Sequence, residues 1–350
     1  MHGQIDVCSM PHDTPHTSGR STLSEVAQLA GVSPSTVSRI LNGTAGVSQT
    51  KKARVEQAIA QLNFRPNPSA RSLAGGRTMS IGVLTQSIDS PFYGEALRGI
   101  EQVLLADGYA SLFMSGHWNE GDELQCIRML QDRKVDGIIV LTGKLSDETL
   151  LHISEQTPLV VTGRQLNGER LSSFDFDNRE GLRLAVRHLH ALGHQQIAFI
   201  ASQEDHADTQ QRMRGFREEL DQLGLSFNEQ LVVHGDLQEA SGFRAMNQLI
   251  QSKASFSAVI AANDQMAYGA MVAMYRSGIR VPDDVSLVGF DDLPHSAFCI
   301  PPLTTVRQPI HELGMQAAQA MMMMLKGLTH EEWQATPQLV VRESTRLRRS

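Results

Sequence analysis

The chain contains 350 residues, of which 41% are hydrophobic and 20% are charged, and its formal net charge is −7. The length predicts two or three domains, and the composition is typical of a globular protein, which excludes an intrinsically disordered chain. No stretch reaches the roughly 18 consecutive apolar residues that a membrane-spanning helix needs. Cys8, Cys126 and Cys299 form no CxxC pair and fit a reducing compartment. We therefore expect a cytoplasmic protein with no membrane partner, no bound metal and no cofactor.

The charges are distributed unevenly along the chain. Residues 20–80 hold eight Lys or Arg and two acids, a net +6, residues 1–19 hold two acids, and residues 81–350 carry the remaining −11. A basic segment attracts the phosphate backbone of a nucleic acid whatever its sequence. The pattern predicts a nucleic-acid-binding head at 20–80, on an acidic body that does not itself lie on DNA.

The first 20 residues lack the apolar core of a secretion signal, and we expect them to form a disordered extension. A metal site at His2, His12 and His16 is the less favoured alternative for this segment, and Met10 is an alternative natural start. We assign no function to the extension.

A helix-turn-helix is predicted at residues 22–43. Thr22 and Glu25 have the spacing of a capping box, which begins a helix. The apolar residues that follow at helical spacing are Val26, Ala27, Leu29 and Ala30. Gly31 ends this helix in a left-handed cap, and Ser33 followed by Pro34 begins a second one. Two short helices joined by a tight turn that contains glycine are typical of this DNA-binding unit.

The solvent face of the second helix carries the candidate base-reading residues. They are Pro34, Ser35, Ser38, Arg39 and Asn42. Arg39 is suited to a bidentate contact with guanine, and Ser35, four residues earlier, shares its face and can bond to either base type. The alternative is that both are ordinary solvated residues on a surface helix. The surrounding helix-turn-helix pattern favours contact with DNA.

A third helix is predicted from Ser48, as its cap, to about Asn63. Its first turns carry the cations Lys51, Lys52 and Arg54. The helix dipole disfavours cations there, so either a phosphate partner or full solvation compensates. Phe64–Pro68 then breaks the helix. Leu73, farther along, is apolar in a linker, where insertion into the minor groove as a wedge would give it a use.

The run Thr22–Asn42 resembles the head of the lactose/galactose repressor (LacI/GalR) family, and Asn63–Leu73 resembles that family's hinge. The resemblance implies that Pro34, Ser35 and Arg39 read the major groove and that Leu73 is the wedge of a hinge helix formed when two subunits bind DNA. The positions implied to contact DNA are Thr22, Ser33, Pro34, Ser35, Thr36, Ser38, Arg39, Asn42, Ser48, Ala70 and Leu73. Arg39 and Leu73 fit the commonest subgroup, whose operators are near-palindromes with a central CG step.

Apolar strand-like runs alternate with helical patterns beyond residue 78. The predicted strands are Ile81–Leu84, Ala110–Met114, Gly137–Leu141, Leu159–Thr162, Ile197–Ile200, Leu231–His234, Ala258–Ala261 and Ser286–Phe290. The predicted helices are Gly94–Ala106, Gly121–Arg133, Arg179–Leu192, Arg212–Leu223, Ala240–Gln251, Gln265–Ser277 and Glu312–Lys326. This alternation predicts a doubly wound α/β body of parallel strands, divided into two units.

Polar and aromatic residues follow several of these strands, where ligands bind in such folds. The candidate segments are Asp89–Tyr93, Gly163–Arg164, Asp205–Arg212, Ala261–Asp264, Gly289–Asp292 and Gln308. Aromatic faces beside acidic, amide and guanidinium groups suit a sugar or polyol, because each hydroxyl both donates and accepts. Asp264 and Asp292 are equally well interpreted as helix caps, and Phe92 as a core residue.

The resemblance to the LacI/GalR family extends over nearly the whole body. The matching motifs are Gly193-His194, Arg212-x-x-Gly215-Phe216, Asn263–Ala267, Val288–Asp291 and Pro302–Gln308. They imply a fold similar to periplasmic sugar-binding proteins, with two lobes, three crossovers and a central cleft. The implied effector-binding residues are Asp89, Phe92, Arg164, His206, Asp208, Arg212, Asn263, Asp291 and Gln308. The family's common aspartate is Gly163 here, which leaves the effector open, and the base-stacking positions match poorly, which disfavours a purine.

The domains follow from these patterns. We place the extension at 1–20, the helix-turn-helix domain at 21–65, a hinge helix and linker at 66–77, and the two-lobed body at 78–345. The N-lobe is expected at about 78–178 with 308–328, and the C-lobe at about 179–307 with 329–345.

The leading functional prediction is a repressor of carbohydrate-uptake or catabolic genes that binds double-stranded DNA as a homodimer or tetramer and is controlled by a small sugar-type effector. Release of DNA by the effector and corepression both remain open, as does a non-sugar effector. A solute-binding protein without a regulatory role predicts an export signal and no helix-turn-helix, so it is disfavoured. No GxxxxGK[ST], HExxH or GxSxG motif is present, and we assign no catalytic residue.

Overall fold

The computed structural model describes residues 21–41, 46, 48–64, 76–202, 207–330 and 333–348. The chain divides into two compact units, residues 1–76 and residues 77–350. The predicted extension and most of the predicted hinge lie outside the described residues. So do four residues with predicted binding roles: Asn42, Ala70, Leu73 and His206.

The described part of the first unit contains three helices, α1 (Leu23–Ala30), α2 (Pro34–Leu41) and α3 (Gln49–Gln61). The predicted capping box at Thr22 and Glu25 is present, and Gly31 ends α1 with a left-handed φ of 61°. Ser33 caps α2, since its Oγ accepts a hydrogen bond from the Thr36 amide at 3.3 Å. The core that joins the helices is formed by Val26, Ala27, Ala30, Val37, Val55, Ala58 and Phe64.

Two details of the predicted head are corrected by the structure. The sequence pattern places Leu29 in the apolar stripe of α1, but Leu29 is 51% exposed, because its position on the helix lies at the edge of the face that Val26 and Ala30 bury. Ser48 does precede α3, but its side chain makes no capping hydrogen bond. The start of α3 is therefore less firmly fixed than the starts of α1 and α2.

The second unit is an α/β body of eleven strands and eight helices among its described residues. In chain order the elements are β1 (Ser80–Thr85), α4 (Pro91–Ala106), β2 (Ala110–Ser115), α5 (Glu120–Asp132), β3 (Gly137–Leu141), α6 (Asp147–Gln156), β4 (Leu159–Thr162), β5 (Leu171–Phe174), α7 (Asn178–Ala191), β6 (Ile197–Ala201), α8 (Ala207–Gln222), β7 (Val232–His234), α9 (Glu239–Ser252), β8 (Ala258–Ala261), α10 (Asp264–Arg276), β9 (Ser286–Asp291), β10 (Thr304–Arg307), α11 (Ile310–Leu325) and β11 (Gln338–Val340). Short 3₁₀ turns lie at Glu229–Leu231 and Pro294–Ala297.

The strands form two sheets, one in each lobe. The N-lobe sheet has the order β2-β1-β3-β4-β5, and all of its strands are parallel. The C-lobe sheet has the order β11-β10-β9-β8-β6-β7, in which only the edge strand β11 runs antiparallel. Helices cover both faces of the N-lobe sheet: α4 and α11 pack in one core, α5 and α6 in the other. This explains why its inner strands are continuous apolar runs.

The chain crosses between the lobes three times. It passes from β5 of the N-lobe to α7 of the C-lobe, from β10 back to α11, and from α11 to the edge strand β11. The carboxyl ends of the central parallel strands of each lobe are thereby brought to the junction of the lobes, which is where the fold places a ligand.

Four elements are absent from the sequence prediction: α6, β5, β10 and β11. The two inner residues of β5 are Ser172 and Ser173, and β10 begins with Thr304 and Thr305. These polar residues hide the apolar pattern that identifies a buried strand. The strand β11 spans only three residues at the edge of its sheet. Pairing with neighbours distant in sequence, rather than local pattern, creates these strands.

The segment that follows β11 is bound to the C-lobe through buried polar groups. Ser344 Oγ donates to the Leu287 carbonyl at 2.6 Å and accepts from the Thr304 amide at 2.8 Å. His194 Nε2 donates to the Arg346 carbonyl at 3.1 Å, and its Nδ1 lies 2.9 Å from Ser257 Oγ. Burial lowers the pKa of His194; the hydrogen bond to Arg346 partly opposes this shift, and the Arg348 charge adds to it.

This arrangement predicts a pH-dependent contribution of His194 to stability. A folded-state pKa below the ordinary value of 6.5 means that the unfolded chain takes up a proton that the folded one resists. The contribution is therefore present above about pH 6.5 and is lost as the pH falls through the lowered pKa. Urea unfolding of the wild type and of His194→Gln, at pH 8 and pH 5, measures it. The wild type should lose its advantage over the variant at pH 5, and a constant difference would contradict the assignment.

No helix in the described part of the chain is long and apolar enough to cross a lipid bilayer. Within the same residues, no cluster of three or more His, Cys, Asp or Glu side chains is arranged to hold a metal ion.

Candidate functional site

The outer face of α2 presents the residues predicted to read DNA. Pro34, Ser35 and Arg39 are exposed, while Val37 is fully buried against the neighbouring helices. Arg39 Nε donates to the Ser35 carbonyl at 3.4 Å, so the two residues share one face, as their spacing predicted. A guanidinium exposed on a short helix beside small hydroxyl side chains is suited to enter the major groove.

The other described head residues with a predicted DNA role surround this face. Ser33 is exposed, and its hydroxyl lies 2.9 Å from both the Ser35 and Thr36 hydroxyls. Ser38 is half-buried, whereas Thr22 and Ser48 are exposed at the starts of α1 and α3. Thr22 also accepts a hydrogen bond from the Glu25 amide, so its hydroxyl already has a structural use. Ser48 is followed on α3 by the exposed cations Lys51, Lys52 and Arg54.

A cavity of about 260 Å³ opens in the second unit at the carboxyl ends of the strands. Both lobes line it. The N-lobe contributes Gln86, Ser87, Ser90, Phe92, Tyr93, His117, Trp118 and Thr142, and the C-lobe contributes Ser202, Asp208, Thr209, Arg212, Asp236, Leu237, Gln238, Asn263, Gln265 and Asp291. The three aromatic rings therefore lie on the N-lobe wall, and the carboxylates and the guanidinium lie on the C-lobe wall.

Arg212 on α8 organises the C-lobe wall. Its Nε donates to Asn178 Oδ1 at 2.8 Å, and its Nη1 donates to the Ala262 carbonyl. The guanidinium carbon lies 3.9 Å from the centre of the Phe290 ring, a cation–π contact. Nη2 lies 3.9 Å from Asp291 Oδ1. Four elements of the C-lobe thus meet at one buried cation.

Two buried carboxyl groups, those of Asp208 and Asp291, lie near Arg212, and burial destabilises their charged forms. Burial raises the pKa of Asp291 well above its usual range, and Arg212 only partly offsets this effect. Burial likewise raises the pKa of Asp208, whose Oδ1 accepts a hydrogen bond from Asn178 Nδ2 at 3.2 Å. The backbone of Asp291 has a φ of 109°, a conformation that costs energy outside glycine and that clusters at binding sites.

The N-lobe wall is held in place by Gln86. Its Oε1 accepts from the Trp118 amide at 2.8 Å, and its Nε2 donates to the Thr142 carbonyl at 2.9 Å. The Tyr93 hydroxyl lies 3.0 Å from the Thr142 hydroxyl, and the Phe92 and Tyr93 rings meet edge to face at 5.1 Å. Trp118 and Thr142 both have positive φ, 54° and 47°. One buried amide thereby fixes two strained residues at the cavity.

Five of the residues predicted to bind the effector come together in this cavity: Phe92, Asp208, Arg212, Asn263 and Asp291. The amide of Asn263 is already used, because Oδ1 accepts from the Met266 amide and Nδ2 donates to the Leu237 carbonyl. Gln308 lies beside the cavity, in a smaller space that it shares with Asp208.

The structure does not bring Asp89 and Arg164 to the cavity. Asp89 accepts a hydrogen bond from the Ser87 hydroxyl. Arg164 donates to the Gly143 and Leu145 carbonyls at 2.7 Å and pairs with Asp147 at 3.0 Å, so it braces the loop after β3.

The alternatives for Asp264 and Asp292 are also decided. Asn263, not Asp264, caps α10. Asp264 is buried and accepts from the Leu293 amide and from the Ser296 and Thr305 hydroxyls. Asp292 pairs with Arg307 at 2.7 Å and Arg342 at 2.6 Å. Both carboxylates are therefore structural anchors.

Sequence reasoning missed Gln86, His117 and Trp118 and included Tyr93 only as the end of the candidate segment Asp89–Tyr93. His117 and Trp118 follow β2 directly after Gly116, so the strand-end rule that found Phe92 also applied to them. Gln86 follows β1 in the same way.

Comparison with known proteins agrees with both parts of the chain. A model of bacterial regulatory proteins of the lacI family matches residues 22–67, and one of a periplasmic binding protein-like domain matches residues 186–345. The chain is 34% identical over 333 residues to the HTH-type transcriptional repressor PurR of Aliivibrio fischeri (strain MJ11), which covers 93% of this chain and 98% of that protein. It is 36% identical over 300 residues to the HTH-type transcriptional regulator GalR of Escherichia coli (strain K12), which covers 85% and 88%.

The fold agrees as well. A crystal structure of the Lac repressor dimer bound to operator and the anti-inducer ONPF matches with a TM-score of 0.83 at 30% identity, over 94% of this chain and 100% of that one. The predicted fold class, a helix-turn-helix head with a two-lobed periplasmic-binding-protein-like body, is confirmed. The relatives are transcription regulators and not enzymes, as the sequence predicted. The chain belongs to the lacI family of bacterial regulatory proteins and is a DNA-binding transcriptional repressor.

Proposed function

We propose that this repressor acts as a homodimer on carbohydrate-uptake or catabolic genes, and that a small sugar bound in the cavity between the lobes controls its hold on a near-palindromic operator. The observation that carries the proposal is the contrast between the two cavity walls. Phe92, Tyr93 and Trp118 form one wall, and Asp208, Arg212 and Asp291 belong to the other.

A sugar ring matches this contrast. One face of a pyranose carries C–H groups that pack on an aromatic ring, and its hydroxyls each donate and accept hydrogen bonds. The cavity of about 260 Å³ lies just below the usual range for sites of drug-sized ligands, which suits a small ligand. A purine base is the competing class, since its flat ring stacks on aromatic side chains. It presents fewer donors to the carboxylates of the C-lobe wall than a sugar does.

The position of the cavity supports control by the ligand. Because its walls come from both lobes, a ligand that touches both favours one lobe arrangement over another. If the operator also favours one arrangement, linkage requires ligand and operator to change each other's affinity by the same factor. The sign of that change distinguishes induction from corepression.

The two tryptophans of the chain provide a direct test of sugar binding. Trp118 lines the cavity, whereas Trp333 packs against Phe174. The variant Trp333→Phe retains Trp118 as its single tryptophan and is titrated with D-galactose, D-glucose, D-ribose and hypoxanthine. We expect at least one of the sugars to change its fluorescence emission. The matched variant Trp118→Phe should lose that signal. A response to hypoxanthine and to none of the sugars would contradict the proposal.

The homodimer proposal rests on an exposed apolar surface of the C-lobe. Val272 and Tyr275 lie on α10, and Phe298 and Ile300 lie in the loop that follows β9; the last three are 84%, 83% and 93% exposed. A hydrogen bond of 2.7 Å between the Tyr268 and Ser296 hydroxyls ties α10 to that loop. Exposed apolar patches of this kind mark interfaces, and a second copy of the chain is the occupant we propose.

Replacing both Phe298 and Ile300 with Ser should therefore weaken self-association. We expect the dissociation constant of the dimer, measured by analytical ultracentrifugation, to rise at least about tenfold, since central apolar residues dominate interface energy. Leu328→Ser, at a residue that is 57% exposed elsewhere, is the control and should leave association unchanged. Equal association of all three proteins would exclude this surface.

A further inference from the structure

The ionisable side chains that line the cavity are mostly acidic. Asp208, Asp236 and Asp291 face it, and among the lining residues that the structure describes Arg212 is the single Lys or Arg and His117 the single His. Asp236 lies 3.5 Å from Arg244, which is largely exposed, so that ion pair is weakened by solvent. The burial that raises the pKa of Asp208 and of Asp291 also penalises any further negative charge placed beside them, so this part of the lining disfavours an anion.

The one lining cation is already engaged. Arg212 donates to Asn178 and to the Ala262 carbonyl, stacks on Phe290 and faces Asp291. A ligand phosphate or carboxylate would have to displace these partners to gain a bidentate contact, and the displaced carbonyl and amide would lose their donors inside a buried site.

The unsatisfied polar atom in the wall is an acceptor. Asp291 Oδ1 is buried and has no hydrogen-bond partner among the described residues, and the Asp291 side chain is 4% exposed. A buried oxygen without a partner is stabilised by a hydrogen-bond donor, and an anion, which offers none, would leave it unsatisfied. It calls for a ligand that brings a donor, such as a hydroxyl group.

Helix N-termini act in the opposite sense, because their dipoles attract anions. The N-termini of α8, α9 and α10 lie at this end of the C-lobe sheet. However, each of these helices has an acid of its own in its first turn: Asp208, Glu239 and Asp264. The field of these three helices is offset by the protein's own carboxylates, whereas α4, whose N-terminus at Ser90 also lines the cavity, has no acid in its first turn.

We infer that the cavity selects against anionic ligands, so that the effector is an uncharged, unphosphorylated sugar that donates a hydroxyl hydrogen to Asp291, and not a sugar phosphate or a sugar acid. This inference rests on the proposed function, since it specifies the chemical class of the sugar. Repression would then respond to the free sugar before a kinase modifies it.

Matched pairs of probes test the inference on the full-length protein. D-Glucose, D-galactose and D-ribose are each compared with their terminal phosphate esters, and glucose also with glucuronate, by Trp118 emission and by calorimetry. The free sugar that binds should do so at least about tenfold more tightly than its phosphate ester, because like charges juxtaposed in a dry site are strongly disfavoured. The same ratio should hold against the sugar acid.

Two variants connect the selectivity to its cause. Asp291→Asn replaces the ionisable carboxyl with a neutral amide that can donate to an anion, and it retains a residue type that tolerates positive φ, so the ratio between free sugar and phosphate ester should shrink. Asp89→Asn removes an acid that does not line the cavity, and its ratio should equal that of the wild type.

The possible results separate the two claims. A phosphate ester that binds as tightly as its free sugar, or more tightly, would overturn the inference and leave the proposed sugar control intact. An unchanged ratio in Asp291→Asn would also overturn it. Binding of hypoxanthine alone, or of none of the probes, would count against both the inference and the proposed function.

Discussion

Arg212→Ala should abolish the response of operator binding to the effector and lower the free energy of unfolding by about 3 kcal/mol, because removing one member of a buried charged cluster leaves the others unpaired. The guanidinium is the shared partner of Asn178, Ala262, Phe290 and Asp291. Without it, Asp208 and Asp291 are left with no cation on the lining described by the structure. Urea unfolding measures the stability. The operator dissociation constant, measured with and without the sugar that binds the wild type, measures the response.

Arg212→Lys is the matched control. It keeps the charge but cannot donate to Asn178 and to the Ala262 carbonyl at once with a rigid fork. We expect it to recover part of the stability and little of the ligand affinity. Wild-type sugar affinity in either variant would exclude Arg212 from the ligand site.

Arg39→Ala should weaken binding to the operator by about 1–3 kcal/mol per half-site, roughly 5- to 150-fold, while binding to unrelated DNA changes little. Arg39 lies exposed on α2, on the same face as Ser35. Removing a side chain that bonds to a base edge in the major groove weakens discrimination between sequences and spares the attraction to phosphates. An operator is first selected from a pool of random duplexes. Fluorescence anisotropy then measures the affinity of each protein for this operator and for a scrambled duplex.

Lys52→Ala provides the contrast. Lys52 is an exposed cation on α3, and its Nζ lies 3.9 Å from Glu56 Oε1. If Lys52 contacts a phosphate, its loss should weaken binding to both duplexes equally. The slope of the logarithm of the binding constant against the logarithm of the salt concentration should fall by about one. An Arg39→Ala variant that weakened both duplexes equally would contradict base reading.

The head could be predicted in detail because its signals are local. The capping box at Thr22, the left-handed glycine at position 31 and the Ser33-Pro34 start each act within four residues, so the sequence contains the whole cause. The pattern wrongly predicts Leu29 to be buried, because helical spacing does not define how wide the buried face of a helix is. Burial at the edge of that face depends on how far the neighbouring helix extends.

The position of the cavity could be predicted from the sequence, but the full set of residues that line it could not. Strand ends identify where side chains converge, which is enough for Phe92, Arg212 and Asp291. Arg164 satisfies the same rule, but its side chain turns to the Gly143 and Leu145 carbonyls, which are near it only in the folded chain. The role of Gln86 likewise depends on two loops, at Trp118 and Thr142, that are far from it and from each other in sequence.

The central claim is that the cavity governs the hold of the head on DNA. It is tested most directly by measuring the affinity for the selected operator while titrating the sugar that changes Trp118 emission. We expect the sugar to shift the operator dissociation constant of the wild type and the operator to shift the sugar dissociation constant by the same factor. Arg212→Ala should show neither shift. An operator affinity that stays constant while the sugar saturates the cavity would contradict it.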